Sequence, residues 1–256
     1  MRDRGLDAAV RAVGGVSELA RRIGIAQPSV SNWDRVPAER VNAVEAATGV
    51  ARAVLRPDLF DPSGPLSVEP IDTARAAEYA LLAALLARAP GADLLKRLSR
   101  LPGDATPLGA AHSDLAAAAA KTSAKAIERE YFDLFIGLGR GELLPYASYY
   151  LTGFLHERPL ARVRGDLQLI GLEKAEGQSE PEDHVAILFE VMSVLAGGVH
   201  PAPAGADREF FQKHIAPWVP RFLADLKASK SASFYLRVGA LAQVFMDIES
   251  EAFTLP

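Results

Sequence analysis

The sequence predicts an all-α protein of two modules: a small helix-turn-helix domain, then a larger helical bundle. Three observations predict it. Apolar residues recur three and four apart through most of the chain, and no stretch alternates with the period of two that a half-buried strand needs. A cluster of Pro, Asp and Gly between residues 56 and 70 follows a complete run of short helices. The charge balance changes at the same place. Residues 1–56 hold nine arginines against six acids, whereas the rest holds 19 basic against 26 acidic side chains.

Composition narrows the function classes. With 49% hydrophobic and 23% charged residues the chain can bury a real core. It has no cysteine, which excludes disulfides, zinc ribbons and iron–sulfur ligation by this chain. A net charge of −4 excludes electrostatic nucleic-acid binding by the chain as a whole. The N-terminus lacks an apolar signal segment, and the longest apolar stretch, residues 79–87, is too short to span a bilayer. A soluble, cytoplasmic protein is expected.

Residues 1–60 form the first module. Ser17 is placed to cap a helix whose inward face is Leu19, Ala20 and Ile23. Gly24 stands where a sharp turn needs positive φ, and Ile25 plugs the space beneath it. Pro28 suits the first turn of a second helix that buries Val30 and Trp33. Small Ala20 lets the two helices cross closely. This is the spacing of a helix-turn-helix, and it resembles the Cro-like, YdaS-like subclass. In that geometry the second helix presents Gln27, Ser29, Ser31, Asn32 and Arg35 to DNA base edges, with Arg21 and Arg22 set for phosphates. The residues by themselves also fit a polar surface used for packing or dimerisation. A head with net charge near +3 offers few phosphate contacts, so specific binding requires a dimer.

Residues 61–71 read as a Pro-rich linker, with the boundary near residue 65. The second module, residues 72–256, reads as helix throughout. Asp72 or Thr73 opens a helix to Ala89 with Ala76, Tyr79, Ala80, Leu82, Ala83 and Leu86 on one face. A short helix over 92–101 turns Leu94, Leu95 and Leu98 inward. An alanine-rich helix from 108 continues into 123–138, where Ile127, Tyr131, Leu134, Phe135 and Leu138 share a face. Gly137-Leu138-Gly139-Arg140-Gly141 follows a helix and lacks the Lys and Ser/Thr of a nucleotide loop, so it reads as a helix stop. Helices over 148–156 and 160–171 come next. Glu180-Pro181-Glu182-Asp183 then opens a helix that buries Val185, Leu188, Phe189, Met192 and Leu195. Segments 207–215, 218–228 and 231–249 complete the bundle.

No enzyme apparatus stands out. His156-Glu157 lacks the second histidine of a zinc-protease helix, and His184 has no second ligand at metal spacing, so neither a metal nor a cofactor is expected. From the residues alone, Glu182 and Asp183 read as a helix N-terminal turn, His184 as a cap or core-edge residue, and the tyrosines as core.

Three stretches change that reading: Glu130-Tyr131-Phe132-Asp133-Leu134-Phe135, Pro145-Tyr146-Ala147-Ser148-Tyr149-Tyr150, and Glu180-Pro181-Glu182-Asp183-His184. Over residues 72–250 the body resembles the TorD family of redox-enzyme maturation chaperones, and the last stretch matches that family's E-P-x-D-H motif. It departs from the family in holding Gly137-Leu138 where a Gly-Pro is common and Ala147 where a glutamate is common. The resemblance implies a non-catalytic cytoplasmic chaperone. Its partner would be the leader peptide and apo form of a molybdenum-cofactor oxidoreductase, a formate dehydrogenase being one such client, held until cofactor insertion and before twin-arginine export. It implies Tyr131, Phe135, Tyr146, Tyr149, Glu180, Glu182, Asp183 and His184 as the client-binding set. A leader with an arginine pair beside an apolar run calls for carboxylates beside an apolar wall. The rival expectation is a DNA-binding transcription regulator whose helical body is a sensor or dimerisation domain.

Overall fold

A computed structural model of the chain describes residues 3–60, 70–174, 179–198 and 200–254. Its contacts divide it into two compact units, Met1–Ser67 and Val68–Pro256. Among the described residues all regular structure is helical. Most of the expected linker, residues 61–69, lies outside them.

In the first unit, Asp3 caps α1 (Arg4–Val13) by accepting from the Leu6 N–H at 2.8 Å. Gly14 and Gly15, both at positive φ, turn the chain into α2 (Val16–Arg22). That pair restarts the helix early, so Ser17, expected as its cap, lies inside it. Gly24, at φ +70°, leads to α3 (Gln27–Ser31), which has Pro28 in its first turn. A 3₁₀ turn (Ala38–Arg40) precedes α4 (Val41–Thr48), and α5 (Arg52–Leu55) and α6 (Pro57–Phe60) follow. The prolines after Arg56 suggest a non-helical exit, but Pro57 opens a further helical turn, where its missing N–H has no partner to lose. Leu6, Leu19, Val30, Val36, Val44 and Leu55 are fully buried, with Ile25, Trp33 and Phe60 packed around them. Gly5 lets α1 meet α5: a Cβ there would stand 2.1 Å from the Leu55 carbonyl oxygen.

The second unit starts with α7 (Pro70–Ala87), so Pro70 and Ile71, assigned to the linker from sequence, already belong to its first helix. Next come α8 (Ala92–Leu98) and α9 (Pro107–Ala120), the latter capped by Thr106. The long helix expected across 108–138 is broken, because Ser123 caps a new helix, α10 (Ala124–Tyr131). That helix widens into a π turn (Phe132–Ile136), and Gly137 at φ +62° ends it. Leu138 therefore leaves the apolar face and is 98% exposed.

The next helix, α11 (Ala147–Thr152), is shorter than the span expected to His156. Gly153 adopts the left-handed conformation, and the Thr152 hydroxyl folds back onto the Ser148 carbonyl at 2.7 Å. Two longer helices follow, α12 (Arg158–Ile170) and α13 (Val185–Ala196). The C-terminal part is α14 (Ala206–Phe210) with a π turn (Phe211–Ile215), then α15 (Val219–Ala228) and α16 (Phe234–Ala252).

The core of this unit joins α7, α13, α15 and α16 through Tyr79, Leu82, Phe189, Met192, Trp218, Phe222, Tyr235 and Phe245. Burying each such side chain contributes roughly 1.5–3 kcal/mol. Carboxylates hold the ends. Glu249, 1% exposed, accepts from Arg75 at 2.8 and 2.9 Å and from the Tyr79 hydroxyl at 2.9 Å. Arg75 also reaches Asp207 at 3.1 Å, which ties α7 to α14 and α16. Glu130 accepts from the N–H groups of Ser233, Phe234 and Tyr235 at 2.8, 3.1 and 2.7 Å. It thereby satisfies the otherwise unpaired N-terminus of α16.

Candidate functional site

The chain returns on itself at one point. Tyr146 and His184 form an isolated antiparallel β-bridge, with the Ala147 N–H on the Asp183 carbonyl (3.0 Å) and the Val185 N–H on the Pro145 carbonyl (2.9 Å). Proline at 145 keeps its neighbourhood extended, and α11 starts directly after the bridge. The Asp183 carboxylate then accepts from the Ser148 N–H at 2.8 Å, in the first turn of α11. The sequence reading places the acids at the start of the following helix. One acid does serve a helix N-terminus, but it is that of α11, across the bridge. The cap of α13 is His184, whose Nδ1 accepts from the Ala186 N–H at 3.2 Å.

These contacts sort the expected client-binding residues into groups. Tyr146, Glu180, Asp183 and His184 come together. The Tyr146 hydroxyl donates to Glu180 at 2.6 Å, and its ring meets the His184 imidazole edge-on at 5.0 Å between centroids. Tyr131 stands close enough to Glu180 for the carboxylate to help push its phenol up to about 12, after the larger effect of burial. Its hydroxyl donates to the Leu86 and Ala87 carbonyls at 3.2 and 3.0 Å, closing the C-terminus of α7. Phe135 stacks behind it on Tyr235, in the core. Glu182 is taken by Arg164 at 2.9 Å, and Tyr149 lies under Arg140 at 5.3 Å, both apart from that group. Asp183, 1% exposed, is a buried clip between α11 and α13.

Burial also governs the titration of the group. It lowers His184 to about 4 against the upward pull of Glu180 and Asp183, so the ring is neutral at pH 7. Because Nδ1 accepts a hydrogen bond, the proton sits on Nε2. Burial, followed by the hydrogen bond to Glu180, raises Tyr146.

Beside this group lies an open groove of about 630 Å³ between α7 and α13. The two helices run antiparallel: the Ser193 hydroxyl near the end of α13 reaches the Ala76 carbonyl near the start of α7 at 2.8 Å, while Glu180 and His184 share the opposite end with Ala87 and Arg88. Ala80, Ala83, Ala84 and Ala87 supply one wall, and Ile187, Glu190 and Val194 the other. Sequence reading missed this feature. Its signal is alanine on the solvent side of α7, where an exposed helix normally carries charge; Ala80, assigned to the core, is exposed.

In the first unit the residues expected to read DNA lie on α2, α3 and the following loop. Gln27, Ser29, Ser31, Asn32 and Arg35 are exposed, with the Gln27 amide on the Ser31 hydroxyl at 2.7 Å. Arg21 and Arg22 both hold Glu18, at 2.6 and 2.9 Å, and Arg22 also donates to the Ala47 carbonyl at 3.0 Å. The two guanidiniums keep the Glu18 carboxyl near 2, through hydrogen bonds first.

Comparison with known proteins shows what each unit is similar to. The family model of the nitrate reductase delta subunit matches residues 101–224, a range that contains the bridge and its acids. The chaperone protein TorD of Vibrio cholerae serotype O1 is 29% identical over 126 residues, 46% of this chain and 57% of that protein. TorD of Actinobacillus succinogenes is 30% identical over 107 residues, 41% of this chain and 54% of its own length. The chain thus spans little more than half of the curated relatives it matches. A crystal structure described as a redox enzyme maturation protein from Archaeoglobus fulgidus aligns with a TM-score of 0.45 at 20% identity, over 69% of this chain and 93% of that one. The family model of the bacterial toxin YdaS matches residues 6–63. The body is thus similar to TorD proteins and the head to the YdaS model; the curated relatives are named as chaperones.

Proposed function

We propose that the body is a cytoplasmic chaperone that holds the leader peptide and apo form of a molybdenum-cofactor oxidoreductase until its cofactor is in place and before twin-arginine export. One observation carries this reading. Within the stretch that matches a family whose relatives are named chaperones, the Tyr146–His184 bridge sets a carboxylate, a phenol and an imidazole N–H at the mouth of an alanine-walled groove. Nothing in that set is a nucleophile with a base beside it, and such a groove is suited to binding without turnover. Among the described residues no helix is long and apolar enough to cross a membrane, which agrees with a cytoplasmic site of action.

The test is calorimetric titration of the full chain with a panel of molybdoenzyme leader peptides, a formate dehydrogenase leader first, each beside a control whose arginine pair is replaced by alanine. Micromolar or tighter binding that weakens with the control is the expected result. Failure of every leader removes the chaperone reading.

A second reading concerns the head alone and is favoured by the YdaS match together with the exposed α3 surface. In it the first unit binds DNA as part of a dimer, with Gln27, Ser29, Ser31, Asn32 and Arg35 at the bases. Selection from random-sequence DNA followed by fluorescence anisotropy tests it; recovery of no enriched sequence would leave the head a packing module.

A further inference from the structure

We propose that Glu190, in the middle of α13, is the residue that reads a cationic side chain of a helical peptide lying in the α7–α13 groove, with the His184 Nε2–H binding a carbonyl of the same peptide. The proposal rests on the chaperone reading of that groove and names the contact that selects the partner.

The expected cation-binding acids are mostly engaged. Asp183 is buried on the Ser148 N–H, Glu182 is held by Arg164, and Glu180 accepts from Tyr146. Glu180 also shares its end of the groove with Arg88, whose charge opposes an incoming cation. Glu190 differs from all three. It is exposed and lines the groove, and among the described residues no side chain hydrogen-bonds or ion-pairs with it. Lys174 lines an adjoining hollow that Glu190 also borders, with Leu167, Leu172 and Val191.

A second, independent feature asks for a ligand. His184 is only 4% exposed, yet it lines the groove. Its Nδ1 is used by Ala186, and no described group accepts from its Nε2. Nε2 is not shut off from solvent, since among the described residues the fully buried atom without a partner is Glu78 Oε1, so its N–H is free to donate to a ligand carbonyl in the groove. From His184 to Glu190 the helix rises about 9 Å. One short peptide therefore spans both, and alanines at 80, 83, 84 and 87 let its backbone come close.

The experiment is titration of the full chain with a synthetic peptide carrying an arginine pair ahead of an apolar run of about 15 residues. Because Glu190 is exposed and makes no bond, Glu190→Gln should keep the wild-type circular dichroism and denaturation midpoint while binding about tenfold more weakly, the scale of one charge-assisted contact. Glu182→Gln serves as comparator and should stay within about twofold of wild type, since Glu182 already serves Arg164. Glu190→Lys should recover binding to a peptide whose arginines are exchanged for glutamate. If wild type binds and Glu190→Gln binds equally well, the assignment to Glu190 fails and the chaperone reading survives. If wild type binds no peptide, both fail.

Discussion

Acidic residues do opposite work in the two units. In the head two of them chiefly tie arginines near the surface: Glu18 holds Arg21 and Arg22, and Glu45 holds Arg52 at 2.9 Å. In the body three acids join elements through backbone N–H groups or a half-buried guanidinium: Asp183 and Glu249 are buried, and Glu130 is half-buried. An exposed pair gains little, because water screens it and two long side chains must be ordered. A buried carboxylate on an orphan helix N–H has no water to fall back on. Glu18 is therefore a tether near the surface, and Asp183 and Glu249 are structural joints.

The sharpest break of that contrast is Asp183→Ala. It strands the Ser148 N–H in the protein interior and should lower stability by about 1–3 kcal/mol in urea denaturation. Asp183→Asn, which keeps an acceptor, should lose less. Equal stability of both variants and wild type would mean that Asp183 is no joint.

A middle-sized effect is expected from His184. Its folded pKa of about 4 lies below the usual 6.5, so the unfolded chain takes up the proton first as pH falls. Its contribution is therefore complete above about 6.5 and lost progressively towards 4. His214, depressed by burial, acts in the same direction, whereas His112, raised by Glu78, acts in the opposite one. Replacing His184 by asparagine, a good N-cap, should flatten the fall in denaturation midpoint between pH 7 and 5. A variant with the wild-type slope would transfer that dependence to other groups.

The smallest effect belongs to the head. Glu18→Gln should leave the denaturation midpoint unchanged within error, since both arginines are exposed and Glu18 is only partly covered. A clear loss of stability there would erase the distinction between the two units.

Much of this was legible in the chain. Gly24, Val30 and Leu19 define the helix-turn-helix because each meets a separate steric demand, and Leu188, Phe189 and Met192 mark α13 by their spacing. The breaks were harder to see. Leu138 looks like the next residue of an apolar face, and only the π turn and the positive φ of Gly137 eject it. The E-P-x-D-H stretch announced a helix start but concealed which helix each acid serves, because Asp183 and Ser148 lie 35 residues apart in sequence. The groove escaped for a similar reason. Alanines at 80, 83, 84 and 87 acquire meaning only once α13 is laid alongside them.

The bridge between Tyr146 and His184 also closes a long span of chain, from residue 147 to residue 183. Closing such a span carries an entropy cost on the order of 3 kcal/mol, but doubling its length adds only about 0.6 kcal/mol. Val163 and Leu167 of α12 offset that cost by packing into the core.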